Sequence, residues 1–223
     1  MLLAIDTSTQ WMGLALYDGV QIVGETVWQT HNHHTVELAP SIQEMLTRCG
    51  LRPTDLKAIG VALGPGSFTS LRIGLAVAKG MALALHIPII GVPSLDIVAA
   101  SEPISDLPMT AVLQAGRGRL AVRWYTCLLG TRWQAQGDAQ LTNVELLSDL
   151  IRKPTLVIGE LNAHERQVLS RKRKNVVLAS PAHAVRRPGF LAELAWERWQ
   201  SGAIDDPVTL SPIYLHVAEV IPE

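Results

Sequence analysis

Four short polar residues in succession are the first residues of the chain that could do chemistry. They are Asp6, Thr7, Ser8 and Thr9, and they follow the apolar run Leu2–Ile5, which is typical of a buried strand. A turn rich in hydroxyl and backbone N–H groups can cradle a phosphate, and a carboxylate can hold a divalent cation. The same residue types also form ordinary tight turns at strand ends. A phosphate-binding turn and a purely structural turn both stay open.

Three histidines form the candidate for a metal site: His31, His33 and His34. Two imidazoles share one face of a helix when they are four residues apart, which is the spacing of zinc-binding helices. The positions four residues from His34 hold Thr30 and Leu38, so that pairing is missing. Adventitious binding by His31 and His34 stays open, but neither a metal nor a cofactor is expected.

A dense basic run, Arg171, Lys172, Arg173 and Lys174, has Arg166 upstream of it. Such a run is most often a solvated loop or helix end. In a protein that handles nucleic acid it could also contact phosphates, each contact adding salt-sensitive affinity. The formal net charge is −1, from 19 Lys and Arg against 20 Asp and Glu. This balance argues against a protein that binds nucleic acid or an anionic membrane through its overall field.

The composition favours a globular cytoplasmic protein. Of 223 residues, 48% are hydrophobic and 17% charged, so the chain can bury a sizeable core. Cys49 and Cys127 are far apart, which favours a reducing compartment. Asp6 comes too early for a signal peptide, and Pro88 interrupts the apolar run Ile73–Val92. We therefore expect neither secretion nor a membrane span.

The segment Gly64–Leu85 predicts an apolar helix that is covered on more than one side. It opens with a Gly-Pro-Gly turn, and Ser67 or Thr69 is the expected N-cap. One helical stripe is directed to the core: Leu71, Leu75, Ala78, Ala82 and Leu85. The opposite side is scarcely more polar, so we expect it to contact another helix. That side holds Gly74, Val77, Met81 and Ala84.

The chain predicts one order of elements twice. In the first half, strands are expected at 2–5, 11–17, 20–28, 57–63 and 88–92, and helices at 34–49, 69–85 and 94–100. In the second half, strands are expected at 109–115, 119–128, 132–141, 155–158 and 175–178, and helices at 144–151, 163–169 and 189–201. The prediction is an α/β fold with two β-β-β-α-β-α-β-α subdomains, 1–103 and 104–223.

This duplicated order resembles the actin-like (ASKHA) fold of sugar kinases and Hsp70-type ATPases. Four blocks carry a narrower resemblance to the bacterial TsaB (YeaZ) family: Ala4–Thr9, His34 with Leu38 and Pro40, Gly64–Gly74, and Pro212–Leu215. The resemblance implies a non-catalytic scaffold or activator subunit of the tRNA N6-threonylcarbamoyladenosine (t6A37) machinery. It implies a TsaD-like catalytic subunit and a TsaE-like ATPase as partners, and a homodimer when the chain is alone. Whether tRNA contacts this subunit stays open.

The resemblance also implies where the partners would dock. In the family, two helices of the first half form a four-helix contact with TsaD or with a second copy. The residues implied for this surface are Leu38, Ile42, Met45, Gly74, Val77, Met81 and Ala84. The turn Asp6–Thr9 would be the remnant of a nucleotide cleft.

The second half departs from the family pattern. The family usually has an Asp-Ala-Arg…Glu…Tyr block, and here the matching positions include Gln114, Gly116, Arg119 and Ala121. Ser70 replaces an expected glycine and His216 an expected arginine. Gln114 stands where a metal-holding acid is wanted, and the sequence predicts no other acid near it, so the nucleotide site looks incomplete. An actin-like small-molecule kinase or ATPase is the alternative function, and an acid in the cleft of this half would favour it. A third possible function is a free-standing tRNA-binding protein, which the near-neutral net charge disfavours.

Overall fold

In the computed structural model, residues 1–31, 33–116 and 118–215 are described, and they form two five-stranded sheets. His216 lies outside these residues. Each half has the predicted order of elements, which confirms the duplicated α/β plan.

The first sheet has the order β3-β2-β1-β4-β5. β1 pairs antiparallel with β2 and parallel with β4, so the first three strands form a meander and the later ones follow helical crossovers. A short 3-10 turn, Pro53–Asp55, precedes β4. The bounds are β1 Leu2–Asp6, β2 Trp11–Tyr17, β3 Ile22–Gln29, α1 His34–Arg48, β4 Ala58–Ala62, α2 Phe68–Leu85, β5 Ile89–Val92 and α3 Ser94–Ala100.

The second sheet repeats this arrangement with the order β10-β9-β6-β7-β8. β6 is antiparallel to β7 and parallel to β9, as β1 is to β2 and β4. The bounds are β6 Met109–Gln114, β7 Leu120–Leu128, β8 Arg132–Thr142, α4 Val144–Leu150, β9 Thr155–Gly159, α5 Ala163–Ser170, β10 Val176–Leu178 and α6 Pro188–Gln200.

The last helix of each half packs on the sheet of the other half. Leu95 and Val98 of α3 join the core of the second sheet. Leu191 and Ala195 of α6 lie in the core of the first sheet, beside Ala4 of β1. The two halves are therefore interlocked. The division into subdomains at residue 103 stays a prediction, because each half contributes a helix to the core of the other.

The buried face of α1 corrects three of the predicted partner contacts. Leu38, Ile42 and Met45 are only 1%, 4% and 7% exposed, because they pack on the first sheet in the same cluster as Leu3 and Ile5. These side chains have almost no surface left for another protein. The apolar stripe does indicate a covered face of the helix, but the face is covered by the first sheet of the same chain and not by a partner.

α2 agrees with its prediction along the core stripe. Its N-cap is Ser67, whose side chain accepts a hydrogen bond from the Ser70 amide. Leu71, Leu75, Ala78 and Ala82 are buried, as predicted. The helix has the length and mean hydropathy (1.4) of a membrane span. About 33% of it is buried within the protein, and it packs on the sheet of its own half, so its length and hydropathy alone are weak evidence for a membrane span.

Gly74 corrects another predicted partner contact. The residue is buried, and a Cβ at this position would come within 2.2 Å of the Thr7 hydroxyl oxygen. That hydroxyl donates to the Ser70 carbonyl at 2.7 Å, so Thr7 is held in place. The small residue lets α2 approach the turn after β1, not a partner helix. Val77 and Met81 are half-buried against the core of the first sheet, and Ala84 is exposed.

Gly74→Ala should lower the free energy of unfolding by about 1–3 kcal/mol, because the added methyl group overpacks a held side chain. Gly80→Ala is the matched control on the same helix, since a Cβ there meets nothing within 4 Å. That change should raise the free energy of unfolding by about 1 kcal/mol. Urea titration measures both. If the two substitutions change the free energy of unfolding equally, the close approach of α2 to Thr7 does not limit the size of residue 74.

Candidate functional site in the cleft between the sheets

A cleft of about 1160 Å³ opens between the two halves. It lies at the carboxyl ends of β1 and β4 on one side and of β6 and β9 on the other, which is where α/β sheets commonly bind ligands. Its wall from the first half includes Thr9, Trp11, Ser67 and Phe68. Its wall from the second half includes Gln114, Glu160 and Asn162, and Tyr214 also lines it.

Arg186 joins the two halves at the base of this cleft. It lies between β10 and α6, and its side chain is only 1% exposed. Its guanidinium forms an ion pair with Asp6 at the end of β1, and its Nη1 donates to Glu160 Oε1 at 2.5 Å. Thr9 Oγ1 donates to the same Glu160 oxygen at 2.8 Å. One buried cation therefore neutralises an acid from each sheet.

Glu160 and Glu165 correct the prediction that no acid lies near Gln114. Gln114 Nε2 donates to the Glu160 carbonyl at 3.2 Å and to Glu165 Oε2 at 2.7 Å. Glu165 in turn caps α5, accepting from the Asn162 amide at 2.7 Å. Both acids are thus present but hydrogen-bonded, Glu160 in the ion-pair network and Glu165 at a helix start.

The turn Asp6–Thr9 contributes less to the cleft than the sequence suggests. The hydroxyl of Thr7 faces α2, and that of Ser8 lies 2.6 Å from the Ser94 hydroxyl, so both are turned into the fold. The Ser8 amide donates to Asp6 Oδ1 at 2.9 Å and is not available to a phosphate. Only Thr9 lines the cleft. Thr7 and Ser8 therefore fit the interpretation of this segment as a structural turn, because both hydroxyls are hydrogen-bonded within the fold.

Electrostatics favour a permanently charged Arg186. Burial alone would lower the pKa of its guanidinium, but the carboxylates of Asp6 and Glu160 outweigh that cost and raise the pKa. A guanidinium cannot dissociate in the way that a metal ion can. It holds the two carboxylates that a Mg²⁺ ion between the halves would need. The geometry suits fixed cross-linking of the two sheets.

The altered block of the second half forms the opposite rim of the cleft. Ala121 is buried in the core of the second sheet, and Gly116 lies in the turn between β6 and β7 with a φ of +71°. Arg119 lines the cleft, and its buried Nε has no hydrogen-bond partner among the described residues. The side chains that replace the family block therefore either support the sheet or face the open cleft.

His34 acts as a structural residue. It is buried at the start of α1, and its Nε2 lies 3.0 Å from the Thr9 carbonyl oxygen. Because a carbonyl only accepts, Nε2 carries the proton and donates. His31 and His33 are exposed. Across the described ranges, no three His, Cys, Asp or Glu side chains are grouped as a metal site would need.

His34 should make the stability of the fold depend on pH. Burial lowers its pKa below 6.5, and the Thr9 hydrogen bond and Glu37 offset this only in part. The unfolded chain then binds more protons at mildly acidic pH. The free energy of unfolding should be at its full value above pH 6.5 and fall as the pH drops from there towards the folded pKa. Urea titrations across this range measure the effect.

Two variants isolate the contribution of His34. His34→Gln keeps a side-chain donor for the Thr9 carbonyl and removes the titrating group, so its stability should vary less with pH. His33→Gln is the control, because His33 is exposed. If His34→Gln keeps the whole pH dependence of the wild type, another group is responsible.

Comparisons with known proteins agree with this geometry. A family model described as TsaD, tRNA N6-adenosine threonylcarbamoyltransferase, matches residues 23–187. The tRNA threonylcarbamoyladenosine biosynthesis protein TsaB of Bacillus subtilis is 32% identical over 98% of this chain and 95% of its own length. This chain belongs to the TsaB (YeaZ) family. The Escherichia coli TsaB is 41% identical, over 42% of this chain and 40% of that protein.

Solved structures place the family on an actin-like fold. YeaZ from Pseudomonas aeruginosa superposes with a TM-score of 0.76 at 22% identity, covering 96% of this chain and 99% of that one. The ROK hexokinase of Thermus thermophilus gives a TM-score of 0.51 at 11% identity, covering 89% of this chain and 99% of that one. The fold that the TsaB family shares with sugar kinases is therefore confirmed.

Proposed function

We propose that the chain is a non-catalytic accessory subunit of the machinery that makes N6-threonylcarbamoyladenosine at position 37 of tRNA. It acts in the cytoplasm with a TsaD-like catalytic subunit and a TsaE-like ATPase, and pairs with a second copy when alone. The observation that carries the non-catalytic role is Arg186. It neutralises Asp6 and Glu160 together, so neither carboxylate is available to a metal–nucleotide complex in the cleft.

The docking face that we propose lies on the solvent side of α2. We define it by Ala76, Val77, Gly80, Met81, Leu83 and Ala84. Leu83 is 58% exposed although it is a large apolar side chain, and Ala76, Gly80 and Ala84 are also exposed. Small residues next to such a side chain let another helix approach closely. This face replaces the predicted contacts of Leu38, Ile42, Met45 and Gly74.

An actin-like kinase or ATPase is the alternative that the cleft itself favours. Its volume is ample for a nucleotide, and Glu160 supplies the acid in the second half that the sequence does not reveal. Against it stands the ion pair, since a Mg²⁺ ion would have to displace a guanidinium that is 1% exposed. The displaced Arg186 would then be a buried charge without its carboxylate partners, which is costly.

Reconstitution separates these two functions. Purified TsaD-like and TsaE-like subunits from the same organism are incubated with unmodified tRNA, ATP and the threonylcarbamoyl donor, with and without the chain. The accessory function expects t6A only when the chain is present, and no ATP turnover by the chain alone. If t6A forms equally well without the chain, the accessory role is wrong. A steady ATP turnover that co-purifies with the chain, and that Glu160→Gln abolishes while circular dichroism shows the fold unchanged, would instead establish the enzyme.

A further inference from the structure

Six positive side chains from two separate segments meet at the end of the second sheet that faces away from the cleft. β9 and β10 are parallel neighbours, with Thr155 opposite Val176, so the segments that lead into them lie side by side. The Thr155 amide donates to the Asn175 carbonyl at 2.9 Å, which ties the two segments together. We call this surface the basic tip. Its members are Arg152, Lys153, Arg171, Lys172, Arg173 and Lys174.

The charges of the basic tip are largely uncompensated. All six side chains are exposed. Lys172 Nζ lies 3.1 Å from Asp149 Oδ1, and this is the one ion pair of the tip among the described residues. Arg166 does not belong to it, because its guanidinium donates to the Ala179 carbonyl at 2.9 Å and the residue lines the cleft. The topology thus removes one residue of the predicted basic group and adds two.

This concentration stands out against the rest of the molecule. The tip holds six of the 19 Lys and Arg of a chain whose formal net charge is −1, so the remaining surface is acidic overall. A local positive field of this kind attracts a ligand with closely repeated negative charge. Exposed Lys and Arg side chains on neighbouring segments can each contact a separate phosphate and release its counterions.

We propose that the basic tip binds the phosphodiester backbone of tRNA, an inference that rests on the function proposed above. An anionic membrane fits less well, because interfacial binding combines cations with inserted apolar side chains. The exposed large apolar side chains within three residues of the tip are Leu150 and Val177, and they lie on different elements, α4 and β10, rather than along the face of one amphipathic helix. The tip is also built on the second sheet, whereas α1 and α2 pack on the first, so RNA and a protein partner can bind together.

Binding of a fluorescein-labelled, unmodified tRNA transcript to the full chain, followed by fluorescence anisotropy over a salt series, tests this. One variant carries Arg152→Ser with Lys153→Ser, and a second carries Arg171→Ser with Arg173→Ser. Each removes two cations and should weaken binding about tenfold at about 50 mM salt. Each should also lower the slope of log K against log salt by about 1.5.

Arg48→Ser with Arg52→Ser is the matched control, because it removes the same charge from exposed positions in the first half. Its affinity and salt slope should stay at the wild-type values. An equal loss in the control, unchanged slopes in both tip variants, or no tRNA binding by the wild type at about 20 mM salt would each overturn the proposal. So would tip-dependent binding to phosphatidylglycerol vesicles with no tip-dependent tRNA binding. Dispensability in the t6A reconstitution would refute the accessory role but leave this binding result standing.

Discussion

Replacing Arg186 by Met should lower the free energy of unfolding by about 3–5 kcal/mol. The substitution keeps much of the side-chain volume but leaves Asp6 and Glu160 without their shared counter-ion. Their side chains are 2% and 10% exposed, so water would replace the guanidinium poorly, above all at Asp6. The loss should appear in urea titration as a lower midpoint. Since both sheets meet at this network, the opening of the cleft should also become easier, which amide hydrogen exchange near Thr9 would report.

Arg187→Met is the matched control for this prediction. Arg187 follows Arg186 in the chain and also pairs with a carboxylate, that of Glu25, but its side chain is 55% exposed. Its loss should cost less than about 1 kcal/mol. In the Arg186→Met background, Asp6→Asn together with Glu160→Gln should recover part of the stability, because the uncompensated charges are removed. Equal costs for the two arginine substitutions, or no recovery of stability, would show that Arg186 does not stabilise the fold by neutralising Asp6 and Glu160.

The elements that are fixed by local patterns are predictable from the sequence. α2 is expected at 69–85 and observed at Phe68–Leu85, because its stripe, its N-cap and the turn before it all lie within some twenty residues. The order of strands follows in the same way from short apolar runs and turn residues. The resemblance of this duplicated plan to the actin-like fold then implies that the turn after β1 and the turn after β6 face one cleft.

The ion pair that decides the character of the cleft is not predictable in this way. Arg186 and Asp6 are 180 residues apart in the chain. Neither lies in a motif with a defined spacing to the other, and Arg186 is one of two adjacent arginines of which only one is buried. Burial is decided by how the segment before α6 returns to the first sheet. That is a property of the tertiary packing, which periodicity does not report.

Four of the seven predicted partner contacts are covered by the chain itself, for a related reason. An apolar stripe on a helix indicates that the stripe is covered, but it does not identify what covers it. Leu38, Ile42 and Met45 are covered by the first sheet, and Gly74 by Thr7. Leu83 is different because the fold leaves it 58% exposed. Only the structure distinguishes the apolar residues that are buried by the chain's own packing from those that remain exposed on its surface.

Leu83→Arg should abolish the protein contacts of the docking face and leave the fold intact. The side chain points away from the core of its own half, so the substitution removes no core packing. A charge forced into an apolar contact without a partner costs several kcal/mol. Binding to the TsaD-like subunit should therefore weaken at least about a hundredfold. Self-association in analytical ultracentrifugation and partner binding by calorimetry measure the loss, and circular dichroism reports the fold.

Two further substitutions make that result decisive. Val20→Arg places the same charge at a 90% exposed apolar residue in the turn between β2 and β3, away from α2, and should leave both contacts unchanged. Met81→Arg should cost fold stability as well as binding, since Met81 packs partly against the core. If Leu83→Arg is folded and still binds the TsaD-like subunit with wild-type affinity, the contact does not involve this face of α2. If Leu83→Arg unfolds instead, the exposed side of α2 has a structural role within the chain, and the docking face must be sought elsewhere.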